Sequence, residues 1–412
     1  MRRSRLDALI ADQEHLSAVT RENIEAIQLE KLNRLLSREA DRGGFYRGLP
    51  ERIGSLAELS SLPFTTEEDL ARHPGGLLLC SQAEVQRVLS DATSGTTGAA
   101  KRVFYTEGDL ENTVQLYMAG LGELIFPGSV TMICFSFSGP FGLGELISEA
   151  ITRLGATPLK LGCALSYGEY AAVMEKEKPD TFVGMPVQLL SILRACGRHS
   201  VQRALVSGDA CPKSIMRGCE SLLSSRLFPH YGSREMGMAG AICCSAHEGM
   251  HLRENHIIAE IVDEDGRGLP WGEWGELVIT TIGMEAMPLI RYRTGDITRF
   301  FSDPCPCGSE TLRLDTVKRK KSGTPMPAAS FSSSLLSASD LDEILFADEC
   351  IVDCRYDLLC NELSVQALTV GAVDKDAVLS RIQDVAPSLS VTLSCRSLCP
   401  DDQILYFGKR SL

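Results

Sequence analysis

The chain has 412 residues, 44% of them hydrophobic and 23% charged. That is ordinary globular composition in a length too great for one compact core, so two domains are expected. A net charge of −13 argues against general affinity for nucleic acid or anionic membranes, although a local cationic pocket could still take a small anionic ligand.

The opening "MRRSRLDALIADQEHL" has no apolar stretch of signal-peptide length, and no run of about 18 apolar residues follows. The chain therefore reads as cytoplasmic, with neither nucleic acid nor membrane as a partner. Its 15 cysteines are scattered and odd in number, which favours free thiols or metal ligands over a disulfide framework.

In chain order, the first strong element is a helix over Thr20–Gly44. Leu29, Leu32 and Leu36 recur at helical spacing, Thr20 can cap its start, and Gly43-Gly44 can stop it. "SVTMICFSFSG" (Ser129–Gly139) reads as a short buried strand, and "PVQLLSILRACG" as a helix. "HIIAEIVDEDGRGLPWGEWGELVITT" reads as strand, turn, strand. Ile258, Glu260 and Val262 share one face, and Asp265-Gly266 and Pro270 mark the turn. Trp271 and Trp274 beside that turn are expected to be packing residues. Alternating strands and helices imply α/β layers. A basic linker is expected near residues 317–323, followed by "DLDEILF" (helix), "ELSVQALTV" (strand) and "DKDAVLSRIQDVA" (helix). This divides the chain into a large domain, 1–318, and a small α/β domain, 319–412.

The most unusual stretch is "SDATSGTTGAAK", Ser90 to Lys101. Backbone N–H groups, hydroxyls and a lysine bind phosphate oxygens well, and glycine lets the backbone come close. Thr93, Ser94, Gly95, Thr96, Thr97, Gly98 and Lys101 supply all of these. The Walker A pattern is absent, so this is a phosphate loop of another type; the alternative is a solvent-exposed flexible loop.

"TSGTTGAAK" resembles the signature loop of the adenylate-forming superfamily, which includes acyl-CoA synthetases, luciferases and adenylation domains. "HYGSREMG" (His230–Gly237) resembles that family's Y-G-x-T-E block, and "MPLIRYRTGDI" (Met287–Ile297) its block ending in T-G-D. "LPFTTEEDL", "FYTEGDL" and "GMHLRENH" are similar to the phenylacetate–CoA ligase branch.

The resemblance implies a large adenylate-forming α/β domain of layered sheets and helices, with a small mobile C-terminal α/β domain. It also implies roles. Thr93, Ser94, Thr96, Thr97 and Lys101 grip the β- and γ-phosphates of ATP, with Gly95 and Gly98 giving close approach. Tyr231, followed by Gly232 and Ser233, stacks on adenine, and Gly208-Asp209 lines the adenine pocket. Glu235 holds Mg²⁺, and Asp296 accepts the ribose hydroxyls. Arg319 contacts ribose or phosphate beside a hinge at Lys321, and Lys409 is the catalytic ammonium. The acyl group lies partly against Phe135–Leu143 and Met236–Ala241, favouring an aryl or apolar acid.

A second constellation is "CCSAHEGMH" (Cys243–His251) with "CPCG" (Cys305–Gly308). Thiolates and imidazole are zinc's preferred ligands. The branch's Cys-x6-His and Cys-x-Cys pattern implies Cys244, His251, Cys305 and Cys307 as a structural Zn²⁺ set in the large domain, with Cys243 and His247 as spare candidates.

The expected activity is ATP-dependent activation of a small-molecule carboxylic acid as its acyl-adenylate, then transfer to coenzyme A. After Lys321 the branch's R-G-x-N-x-F-P-like block is replaced by "SGTPMPAASFSSSLLSAS". That departure leaves an amine, a carrier thiol or a cofactor open as acceptor, and with them a retired nucleotide sensor or scaffold. Monomer and homodimer both stay open.

Overall fold

The computed structural model describes residues 4–91, 101–319, 336–359 and 361–405. Their contacts fall into two compact units. One is Met1–Glu123 with Pro229–Lys320, and the other is Leu124–Phe228 with Lys321–Leu412. The division drawn from the sequence lies close to the last of the three junctions, at 320–321, but residues 124–228 group with the C-terminal part. The mixed α/β class is as expected.

The first unit opens with helices Arg5–Gln13 and Arg21–Arg42. The second starts where Thr20 accepts a hydrogen bond from the Asn23 N–H and stops at Gly43, whose φ of 65° suits glycine. Strands Arg87–Asp91 and Lys101–Tyr105 pair antiparallel, bringing Asp91 opposite Lys101 at the two ends of the hydroxyl-rich stretch. Helix Glu107–Leu121 follows, started by a reciprocal Thr106–Asp109 capping box.

Strands Ile257–Val262, Gly275–Thr281, Tyr292–Thr298 and Lys318–Arg319 form an antiparallel sheet. Its apolar core includes Leu32, Leu36, Leu70, Leu277, Ile279 and Leu289. Glu260 does not simply face water: it pairs with the buried Arg291 at 2.9 Å. Lys318-Arg319 are not free linker, because their backbone pairs with Asp296-Ile297. Trp271 and Trp274 are not core either. Trp271 is 54% exposed, and the ring of Trp274 lies 5.1 Å from the Arg299 guanidinium and 5.3 Å from the Lys318 ammonium. A further antiparallel run in this unit carries Ala241–Cys243, Met250–Leu252 and Arg313–Leu314.

In the second unit, strands Thr157–Lys160, Val130–Ile133, Thr181–Gly184 and Arg203–Val206 lie parallel in that spatial order. Helix Leu143–Arg153 packs on Val130–Ile133 and Thr157–Lys160, and helix Pro186–Cys196 packs on Thr181–Gly184. The expected strand over 129–139 is only Val130–Ile133; the chain leaves the sheet before Gly139 and Pro140.

Strands Ile351–Leu359, Glu362–Thr369 and Ser390–Ser397 form a separate sheet with helices Ala338–Leu345 and Lys375–Val385. The two sheet systems share one core. Leu189, Leu193, Ile215 and Cys219 belong to the same buried cluster as Leu341, Leu345, Phe346 and Ile351. Arg194 donates to the carbonyls of Phe346, Asp348 and Ile351 at 3.0, 3.0 and 2.5 Å. The Tyr167 hydroxyl donates to the fully buried Asp353 carboxylate at 2.9 Å. Among the described residues no helix is long and apolar enough to cross a membrane.

Candidate functional site

Lys101 begins the strand that leaves the hydroxyl-rich stretch, and Glu235 sits in the single turn Arg234–Met236 that follows Tyr231. They meet at 2.6 Å, with Glu67 3.3 Å from the same ammonium. Glu235 is 5% exposed. Burial alone would raise its carboxyl; the Lys101 charge and hydrogen bond, with a backbone donor, outweigh that and hold it below the ordinary value. For Lys101, burial works to lower the ammonium, and Glu235 and Glu67 raise it above the usual lysine value. The buried Tyr105, from the same strand as Lys101, donates its hydroxyl to the Arg234 carbonyl at 2.8 Å and so fixes the turn that carries Glu235. Tyr292 also borders this carboxylate; burial, and then the nearby negative charges, keep its phenol protonated.

A second pair joins the same unit. The Tyr231 hydroxyl donates to Asp296 Oδ2 at 2.7 Å. Asp296 lies on a bulge: Glu276 faces Ile297 and Val278 faces Arg293, so Leu277 opposes three residues, Thr294 to Asp296. Gly295 supplies the φ of 72° that the bulge needs. Thr294 Oγ1 ties it down through the Leu277 carbonyl at 2.7 Å and the Asp296 N–H at 3.0 Å. A carboxylate accepts about four hydrogen bonds, so the phenol does not bar a diol from Asp296. The Arg319 backbone lies directly across the ladder from Asp296. Gly232 is confined by packing, since a Cβ there would come 2.6 Å from the Met238 carbonyl oxygen. Ser233 precedes the turn.

Cys244, His251, Cys305 and Cys307 converge, all buried, with their donor atoms within 4.8 Å of one another. Cys244 Sγ lies 3.7 Å from Cys305 Sγ, and Cys307 Sγ lies 3.4 Å from His251 Nε2. These separations are too long for a disulfide, and the cysteines are free thiols. Cys243 and His247 face each other at 4.0 Å outside the group. Three thiols and one imidazole in a buried cluster could hold a tetrahedral zinc ion with no position left open.

A sequence-family model described as AMP-binding enzyme matches residues 92–286. The phenylacetate–coenzyme A ligase of Thermus thermophilus is 29% identical over 324 residues, covering 74% of this chain and 72% of that enzyme. The phenylacetate–coenzyme A ligase of Escherichia coli K12 is 28% identical over 312 residues, covering 71% of this chain and 70% of that enzyme. The chain is thus similar to AMP-binding enzymes and to phenylacetate–coenzyme A ligases over most of its length. A crystal structure of 2-hydroxyisobutyryl-CoA ligase in its postadenylation state superposes with a TM-score of 0.76 at 17% identity, covering 94% of this chain and 89% of that one, so the fold is shared.

Several expected residues fall outside the described ones. These are Thr93, Ser94, Gly95, Thr96, Thr97 and Gly98 of the loop, Lys321 and Lys409; for Arg319 only the backbone is described. Gly208 and Asp209 lie in the second unit, just past the carboxyl end of strand Arg203–Val206, the edge where open parallel sheets bind ligands. Gly208 has φ 89°, and Asp209 Oδ1 accepts from the Ala210 N–H at 2.8 Å. Sequence reasoning did not find Glu67, Tyr105 or Tyr292. Each reaches Lys101 or Glu235 only through the fold.

Proposed function

We propose that this protein activates a carboxylic acid with ATP and passes the acyl group to coenzyme A. One acid oxygen attacks the α-phosphorus and the bond to pyrophosphate breaks, giving an acyl-adenylate. The thiol sulfur then attacks the acyl carbon, AMP leaves, and the thiol proton goes to solvent.

The observation that carries this reading is the coming together of Lys101 with Glu235 and of Tyr231 with Asp296. These are the loop-terminal lysine, the acidic residue of the second block, and the aromatic and carboxylate groups suited to a nucleoside. The matches to the AMP-binding model and to phenylacetate–coenzyme A ligases support it.

Lys101 and the loop residues Thr93–Gly98 bind the phosphates, Tyr231 offers its ring to the base, and Asp296, with Arg319, takes the ribose. Gly208 and Asp209 border the base, and Lys409 counters charge developing at the α-phosphate. Glu235 is a buried carboxylate held ionised by a neighbouring cation, chemistry that suits Mg²⁺. When bound, that ion would neutralise phosphate charge. Cys244, His251, Cys305 and Cys307 would hold a structural Zn²⁺. Phenylacetate is the acid named for the relatives, and an aryl or apolar acid is the class proposed here.

The test is exchange of labelled pyrophosphate into ATP across a panel of carboxylic acids, followed by mass detection of acyl-CoA. Acid-dependent exchange is expected, with Lys409→Ala slowing it at least ~100-fold, the scale of one lost transition-state contact. AMP binding with no exchange for any acid would overturn the ligase reading in favour of a nucleotide sensor. Exchange without acyl-CoA would move the acceptor away from coenzyme A.

A further inference from the structure

Behind the four sulfur and nitrogen donors runs a chain of hydrogen bonds that the nucleotide chemistry does not use. His251 Nδ1 lies 2.7 Å from Thr311 Oγ1, Thr311 Oγ1 lies 2.9 Å from Ser309 Oγ, and Ser309 Oγ lies 2.6 Å from Asp7 Oδ1. All four residues are buried. Asp7 belongs to the N-terminal helix, 302 positions away from Ser309.

The direction of this chain follows from proton counting. A carboxylate only accepts, so Ser309 donates its single hydroxyl proton to Asp7. Ser309 then has no proton left for Thr311, so Thr311 donates to Ser309. Thr311 can therefore only accept from His251, and Nδ1 must carry the imidazole proton. The Nε2 lone pair is left facing Cys307 and the other donors. Asp7 sits in the first turn of its helix, where the helix N-terminus favours negative charge. The Ser309 N–H also points at Cys307 Sγ, at 3.5 Å.

We infer that Asp7 is a positioning residue for the metal centre, setting the tautomer of His251 through Ser309 and Thr311, and that metal occupancy and docking of helix Arg5–Gln13 reinforce each other. This rests on the zinc reading above. The helix has more than one tether: Leu6 and Ile10 are fully buried, and Gln13 Oε1 accepts from Arg253 and Asn255, each at 3.0 Å. A change at Asp7 therefore need not unfold the chain.

The experiment measures zinc affinity of the full chain by competition with a chromogenic chelator, alongside limited proteolysis of the N-terminal segment. Asp7→Ala and Thr311→Val should each weaken zinc binding ~10–100-fold, the usual effect of losing a group behind a ligand. The double variant should be no weaker than Thr311→Val alone, as for residues acting through one chain. Thr311→Ser, which keeps the hydroxyl, should bind zinc like the parent. Gln13→Ala, which loosens the helix through another tether, should speed N-terminal cleavage and, because the coupling is reciprocal, weaken zinc binding by less than Asp7→Ala does. Parent-like affinity in Asp7→Ala, or full additivity in the double variant, would overturn the relay while the metal reading stands. A parent protein that binds no zinc would overturn both.

Discussion

The Lys101–Glu235 pair and the Cys244–His251–Cys305–Cys307 group are both buried in the first unit, yet one joins unlike charges and the other gathers four soft donors. The charged pair is complete as it stands, and Lys101 keeps 15% of its side chain exposed, so each partner can be handed to an incoming charge. The sulfur group is closed off and has only weak bonds within itself. The charged pair suits exchange with a ligand, whereas the sulfur group suits permanent occupancy.

The largest expected difference comes from breaking the charged pair. Glu235→Ala leaves the largely buried Lys101 ammonium only the exposed Glu67 as partner, should cost up to about 3 kcal/mol of stability, measured by urea unfolding, and should abolish pyrophosphate exchange. The pair's pH window follows from both shifts. The Glu235 carboxyl is depressed, so its contribution is whole above the ordinary 4.5 and is lost as pH falls through the lower folded value. The Lys101 ammonium is raised, so its contribution is whole below 10.5 and is lost as pH climbs through the higher folded value. Glu235→Ala should flatten the acid limb of the stability curve.

Chelation comes next. Stripping zinc should lower the melting temperature and speed N-terminal cleavage, with nucleotide binding weakened only indirectly. Loss of all nucleotide binding on chelation, with the fold intact by circular dichroism, would contradict a purely structural metal. The smallest effect is expected from Tyr231→Phe, which keeps the ring and removes one hydrogen bond to Asp296. It should weaken nucleotide binding by about 1 kcal/mol, a roughly fivefold change in affinity by titration calorimetry.

Features legible in the sequence were those whose cause is local. Thr20 and Gly43 bounded a helix because caps and left-handed glycine are short-range requirements. The T-G-D triplet was readable by its resemblance to a family block, and the fold shows what its glycine does, supplying the positive φ of a bulge. Cys244, His251, Cys305 and Cys307 stood out by residue type, and the fold brings them together.

Features decided by topology were not legible. Nothing near Lys101 names Glu67 and Glu235 as its partners, and nothing near Asp7 names Ser309. Lys318-Arg319 looked like linker because charge runs usually are, yet their backbone completes a sheet. The tryptophans at 271 and 274 read as packing residues beside a turn, and nothing local showed that the ring of Trp274 would lie against two cations.

The three carbonyls gripped by Arg194 have a practical consequence. A polypeptide begun at residue 336 would carry Leu341, Leu345 and Phe346 without the helices that cover them, and the remainder would show Leu189 and Ile215 to water. Neither piece should be well behaved when expressed alone. Splitting or fusing this enzyme is better planned around where its interior is continuous than around the apparent seam in its residue order.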